Sequence, residues 1–262
     1  RAGESTVILL TQLHLGVDPG RAHRAAPPLR TMVLSHCHMD HLGGLVYLAS
    51  QRYLYSMPPA TLIVPEPIVG DVRSLLELSA RLEGGQPSRV TVGPVSEGDH
   101  HQLRRDMDLR FFATDHWVPT LGTQVIWHKH RLRPELAHLS EPEIAERRRA
   151  GDEVTLDVRN DILTYCADSG PGLLDARPDV YDAEVVLVEC SFFRPADRDR
   201  AARYGHTHLA DLLPQLKNLK CRHLVLLHAS RRHRLREVEA IIDEDVRPHF
   251  AGELHHLNVD WD

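Results

Sequence analysis

The sequence is poor in cysteine, and the four residues it has stand alone. Cys37, Cys166, Cys190 and Cys221 form no C-x-x-C pair, a pattern that suggests free thiols in a reducing compartment. The expectation is therefore a cytoplasmic protein. Long apolar runs are also missing: none approaches the roughly 18 residues needed to span a bilayer, and no signal-peptide pattern opens the chain. A basic surplus is missing as well. With 31 Lys and Arg against 37 Asp and Glu, the net charge is −6, which argues against a chain-wide electrostatic grip on nucleic acid but leaves room for a local basic patch. Internal repeats and low-complexity linkers are absent, and 262 residues suit one large α/β domain.

Short apolar runs recur along the whole length, at Val7–Leu10, Leu15–Val17, Met32–Leu34, Leu62–Val64, Leu109–Ala113, Ile162–Tyr165, Val185–Val188 and Leu224–Leu227. Their brevity and their content of Val, Ile and Leu predict strands. Helical spacing appears between them at His41–Gln51, Val69–Leu82, His206–Leu216 and Leu235–Val246. Strands interleaved with helices predict a layered α/β architecture with the helices outside packed sheets. Residues 128–160 differ, holding Lys129, Arg131, Arg133 and Arg147 to Arg149 among nearly as many acids and few large apolar side chains. Two readings are open there: a solvated helix plus turn, or an arm that projects to touch a polyanion.

What is abundant is histidine, 19 residues, and the clustering carries the information. After Met32–Leu34 comes Ser35-His36-Cys37-His38-Met39-Asp40-His41, then Leu42-Gly43-Gly44. His36 and His38 alternate at a strand end, which would point both imidazoles the same way, and Asp40 and His41 follow in the turn. Imidazole suits zinc, and a mixed His and Asp set leaves positions open for water, as a catalytic site needs. One stretch cannot complete two metal spheres. Three other strands run into a ligand type: Leu109–Ala113 into Asp115-His116, Ile162–Tyr165 into Asp168, and Leu224–Leu227 into His228.

The H-x-H-x-D-H motif, followed by His, Asp and His at later strand ends, resembles the metallo-β-lactamase superfamily. Within it the chain is similar to tRNase Z, the endonuclease that trims the 3′ end of precursor tRNA. The similar segments are Gly16–Gly20, His36–Leu45, Thr114–Pro119, Ala167–Gly170, Val188–Cys190, Tyr204–His208 and Leu227–Arg232, in family order. The resemblance implies an α/β (α+β) fold, the metallo-β-lactamase αββα sandwich, as a single domain over residues 1–262 with a charged insertion at 128–160. It implies one zinc on His36, His38 and His116, a second on Asp40, His41 and His228, and Asp168 bridging the two; manganese or iron(II) would suit the same ligands. Asp18 matches the acidic residue of the family's first motif, or is simply a turn aspartate. Asp40 is expected to act as general base. His206 matches the proton-donating histidine and Glu189 its carboxylate partner, with His208 as the competing donor.

Two family features have no counterpart here: an N-terminal P-x-K-x-R-N pattern, and a long glycine- and proline-rich arm that grips tRNA. The charged 128–160 segment lies between the third and fourth metal motifs, where it would serve as a reduced substitute. The leading expectation is a zinc-dependent endoribonuclease for precursor tRNA, a homodimer as the resemblance implies, with no membrane association. The alternative keeps the site and shrinks the substrate to a small or cyclic nucleotide-type phosphodiester. A thioester, lactam or lactone hydrolase would not need the Glu189–His206 pair. A non-cutting RNA binder would be expected to have lost ligands, and this chain has lost none.

Overall fold

A computed structural model describes residues 1–257. In order, the chain forms β1 (Val7–Leu10), β2 (Leu15–Pro19), β3 (Thr31–Val33), α1 (Met39–Leu42), α2 (Leu45–Leu54), β4 (Ala60–Pro65), α3 (Val69–Leu82), β5 (Val90–Val95), β6 (His100–Arg104), β7 (Met107–Ala113) and β8 (Leu121–Leu132). There follow α4 (Glu141–Arg149), β9 (Thr155–Tyr165), α5 (Gly172–Ala176), β10 (Val185–Glu189), α6 (Arg198–Arg203), α7 (Leu209–Leu212), β11 (His223–Leu227), α8 (Leu235–Ile241) and β12 (Glu253–His256). The strands make two sheets, ordered β1-β2-β3-β4-β5 and β12-β11-β10-β9-β8-β7-β6.

The apolar runs are continuous because these strands are covered on both faces. On β11, Val225 and Leu227 point between the sheets, whereas Leu224 and Leu226 pack under the outer helices. The inter-sheet layer joins Leu15, Val17, Val33 and Ile63 of the smaller sheet to Leu109, Phe111, Val125, Leu163, Tyr165 and Leu187 of the larger. Outside the smaller sheet, Met32, Leu34, Leu62 and Val64 meet Leu45 and Leu48 of α2 and Val72 and Leu76 of α3. Outside the larger, Val186, Val188, Leu224 and Leu226 meet Leu209, Leu212 and Val238. The result is the expected αββα sandwich. Strands β2 to β5 are mutually parallel, as are β9 to β12, so the carboxyl ends of β2 and β3 share one edge of their sheet and those of β9, β10 and β11 share one edge of theirs. In open α/β sheets that end is where ligands collect.

Several expectations need correction. Residues 41–51 are two helices, because the chain turns through Gly43 and Gly44 between α1 and α2. His206–Leu216 reduces to the short α7 and a 3-10 segment, and 235–246 ends in a π-helical turn. Strands β5, β6, β8 and β12 go beyond the expected set; Gly93 and Pro94 interrupt the pattern of β5, and β6 is mostly polar. Strand β3 stops at Val33, so His36 and His38 sit in the loop beyond it. The charged 128–160 segment contains the solvated helix of the first reading, carried on a β-ribbon. The outer halves of β8 and β9 pair from His128↔Arg159 to Leu132↔Thr155 as a ribbon. Its tip carries α4, which buries no side chain and is started by a Ser140–Glu143 capping box.

One glycine ties this frame to the site. A side chain at Gly44 would come within 2.3 Å of the Ala22 backbone nitrogen and 2.5 Å of the Pro19 carbonyl. Only a bare Cα lets α2 start against the turn after β2. Gly44→Ala is therefore expected to destabilise the fold by about 1–3 kcal/mol, the usual cost of overpacking. Chemical denaturation would show a lower midpoint; an unchanged midpoint would contradict the close approach.

Candidate metal centre

All seven ligand candidates meet at one margin of the sandwich. His36, His38, His116 and Asp168 form one group whose donor atoms lie within 4.8 Å of one another, and Asp40, His41 and His228 form another. The separations resemble the edges of a coordination shell. His36 Nε2 is 3.1 Å from His38 Nδ1, which is 3.3 Å from His116 Nε2. A tetrahedron with metal–nitrogen bonds near 2.0–2.1 Å has edges of about 3.3 Å. Asp168 Oδ2 lies 3.7 Å from His36 Nε2 and 3.3 Å from both His41 Nε2 and His228 Nε2, so one carboxylate faces both groups. Asp40 Oδ2 is 3.2 Å from His228 Nε2 and 3.7 Å from His41 Nε2.

The unsatisfied atoms test whether metal ions fit here. His41 Nε2 and Asp168 Oδ1 are buried without a hydrogen-bond partner. Buried polar atoms are rarely left so, because losing water without replacement costs about 1–3 kcal/mol. His41 Nε2 faces the cluster and the Asp168 carboxylate stands between its two groups, and cations bound there would supply what these atoms lack. The donor set, imidazole and carboxylate, fits zinc and its neighbours in the first transition row.

The outward nitrogens show why the rings face inward. His36 Nδ1 is 3.0 Å from Ser35 Oγ, His41 Nδ1 is 2.7 Å from Asp18 Oδ2, His116 Nδ1 is 3.0 Å from the Gly205 carbonyl and His228 Nδ1 is 3.0 Å from Ser191 Oγ. Each bond fixes which nitrogen is free, as the supporting partners of metal-bound histidines do. Asp18 is fully buried at φ +55°, so both readings of it hold: it shapes the turn, and it supports the site. Its carboxylate accepts from the Ser35 amide at 2.7 Å, the Ser35 hydroxyl at 2.8 Å and the Tyr165 hydroxyl at 3.0 Å as well as holding His41. Ser35, Ser191 and Tyr165 escaped the sequence reading, since nothing in their type or spacing marks them.

Electrostatics pull the imidazoles apart. Burial and the neighbouring His41 push His36 down to about 2, leaving a neutral ring with a lone pair to offer. Burial alone would lower His41 too, but the charges of Asp168 and Asp18 raise it well above the usual histidine range. Asp168 is driven the other way: burial opposes ionisation, yet His228 and His41 hold it well below the usual carboxylate range.

Beside the cluster lies a second unit. Glu189, fully buried at the end of β10, accepts from the Ser169 amide at 3.1 Å and the Ser191 hydroxyl at 2.6 Å. Its Oε1 is 2.7 Å from His206 Nδ1. Burial disfavours charge on His206, but Glu189, with Asp168 and Asp40 beyond it, raises the ring to about 9. Cations in the cluster would oppose that rise. The His206 ring is 5.3 Å from those of His116 and His228. His208 is placed differently: its Nε2 donates to the Arg194 carbonyl at 2.9 Å and its Nδ1 accepts from the Ala210 amide at 3.0 Å, so it caps α7.

Two sheets between helical layers, with a His and Asp cluster where strands end, define the αββα metallohydrolase class. The chain belongs to the metallo-β-lactamase superfamily: the family described as beta-lactamase superfamily domain matches residues 2–229. Among curated proteins it is 29% identical to tRNase Z TRZ1 of Arabidopsis thaliana over 90% of this chain and 85% of that protein. It is also 29% identical to the chloroplastic tRNase Z TRZ2 of the same plant, over 92% and 69%. Among solved structures, YhfI of Bacillus subtilis superposes with a TM-score of 0.64 at 16% identity, covering 98% of this chain and 87% of that one. The short form of human tRNase Z gives 0.57 at 15%, covering 96% and 88%. At such identities these two likenesses speak for the fold.

Asp168→Ala removes the carboxylate that faces both groups, so metal content measured by mass spectrometry should fall together with activity. Wild-type stoichiometry in that variant would refute a bridging place for Asp168.

Proposed function

We propose that this chain is a two-zinc endoribonuclease that matures the 3′ end of precursor tRNA. The observation that carries this reading is the Glu189–His206 pair set against the ligand cluster, because a phosphodiesterase must protonate a departing alkoxide whereas many other hydrolases on this fold need no such group. The two Arabidopsis relatives, named as tRNase Z, supply the substrate.

In this reading His36, His38 and His116 hold one zinc, Asp40, His41 and His228 the other, and Asp168 both. The ions would supply Lewis acidity toward a phosphodiester and toward water at neutral pH. Asp40 is held ionised: burial works against its charge, but His228 and His41 bring it below the usual carboxylate range, so it carries no proton of its own and can orient the attacking water as the base of this reading. Glu189 fixes the His206 tautomer and keeps that ring protonated, and the Nε2 proton passes to the leaving 3′ oxygen. His208, with Nδ1 capping α7 and Nε2 held by the Arg194 carbonyl, is not the donor.

The substrate reading takes residues 1–262 as one domain, of which the last five lie outside the described residues, and the 128–160 ribbon as its tRNA-facing arm. The tip helix α4 ends in Arg147, Arg148 and Arg149, and Lys129 sits 3.9 Å over the Trp127 ring. A local patch of this kind can serve phosphates despite the net charge of −6. The tRNase Z resemblance also carries a homodimer with it. Four free cysteines fit a reducing compartment such as the cytoplasm, and no helix among the described residues is long and apolar enough to cross a membrane.

Zinc-loaded protein is expected to cut a 3′-extended precursor tRNA just after the acceptor stem, leaving a 3′-hydroxyl. Turnover of a small phosphodiester with no cut in the RNA would point instead to the nucleotide-type alternative. His206→Ala should keep both metals and lose about 10²–10⁴-fold in kcat, the usual worth of a general acid. Full turnover in that variant would remove His206 from the proton-donor role.

A further inference from the structure

We infer that Trp117 is a stacking platform for the nucleobase on the leaving-group side of the scissile phosphate, with Arg200 and Arg203 as phosphate contacts on the same rim. This rests on the endoribonuclease reading and gives that site a base-recognition function. Trp117 follows the ligand candidate His116 directly, yet its indole is 68% exposed. A large ring left in water beside a buried cluster calls for a reason, since burying it would be favourable.

The ring is held in place by an absence. A Cβ on Gly205 would fall 2.4 Å from Trp117 Cδ1, 2.6 Å from its Nε1 and 3.3 Å from His116 Nδ1. Gly205 also has φ +63°, where a side chain is strained. The bare glycine therefore lets the indole lie against the backbone just ahead of His206, between the ligand candidate and the proton donor. The ring is thereby held against the Gly205 backbone while most of Trp117 stays open to solvent.

The next residue back extends the surface. Tyr204 is 46% exposed, and the guanidinium carbons of Arg200 and Arg203 stand 5.8 and 5.7 Å from its ring centre. Other arginines nearby are committed, Arg194 to Glu237 and Arg198 to Asp211 at 2.7 Å. The acidic contact of Arg200 is a loose one, Asp197 at 4.0 Å. An open aromatic face with cations alongside is the chemistry that single-stranded nucleic acid recognises: the base stacks and the backbone is paired. Because Trp117 sits beside His206, the base it meets belongs to the nucleotide whose 3′ oxygen leaves.

Stacking on one aromatic is lost with a roughly ten- to hundredfold drop in affinity on alanine substitution. Trp117→Ala in the zinc-loaded enzyme is thus expected to raise KM for precursor tRNA by about that factor, while Trp117→Phe keeps most of the affinity. Trp117→Leu, which still covers Gly205 but cannot stack, should behave like alanine, with metal content unchanged in all three. The decisive substrate carries an abasic nucleotide on the leaving-group side of the cut. Wild type should lose on it what Trp117→Ala loses on normal RNA, and Trp117→Ala should not distinguish the two substrates. If Trp117→Ala and wild type respond equally to the abasic site, the platform is overturned and the endoribonuclease reading stands. If wild type cuts no precursor tRNA at all, the endoribonuclease reading fails first and the platform with it.

Discussion

Two carboxylates, Asp18 and Asp168, are buried among imidazoles where the two sheets meet, and the geometry of the site follows from keeping them there. A buried charge is tolerable only when it is paired and fully bonded. Asp18 meets that demand with four hydrogen bonds from three residues, Tyr165 of β9, His41 of α1 and Ser35 in the loop after β3. In doing so it fixes His41 and, through Ser35, His36. Asp168 is left with one oxygen unpartnered in the cluster. The network is therefore complete on its outer side and incomplete on its inner side, as a preformed cation site should be.

The fold serves this arrangement by ending strands together. Asp18, Asp168, Glu189 and His228 all stand at or just beyond the carboxyl ends of parallel strands, and the pleat that buries Leu187 on one face and Val188 on the other fixes how β10 delivers Glu189. Positive φ at Asp18, Ala167 and His228 marks the places where the chain must turn sharply to aim a side chain back across the sheet ends. Such backbone strain persists where surrounding bonds over-determine it. Here those bonds are the ones that orient the ligands.

Much of this was legible in the sequence, for a physical reason. Candidate ligands packed into six residues, His36 to His41, cannot hide, and His116, Asp168 and His228 each follow a buried strand whose apolar run is plain. Asp18 stayed ambiguous because one residue performs two jobs. Ser35, Ser191 and Tyr165 were invisible: Tyr165 reaches Asp18 from 147 positions away, and only sheet packing makes that neighbourhood. Position also separates His206 from His208, since a helix cap takes up one ring nitrogen of His208 and the Arg194 carbonyl the other. The ribbon within 128–160 escaped because the outer half of β8, His128 to Arg131, is polar on both faces, and the alternation in the outer half of β9 amounts to Leu156 and Val158 alone.

The central claim is that this margin is a two-metal centre, and diffraction from zinc-soaked crystals across the zinc absorption edge tests it most directly. The account predicts two anomalous peaks about 3.5–4 Å apart, one enclosed by His36, His38 and His116 and the other by Asp40, His41 and His228, with Asp168 between them. No peak at this margin, or zinc bound only elsewhere on the molecule, would contradict it.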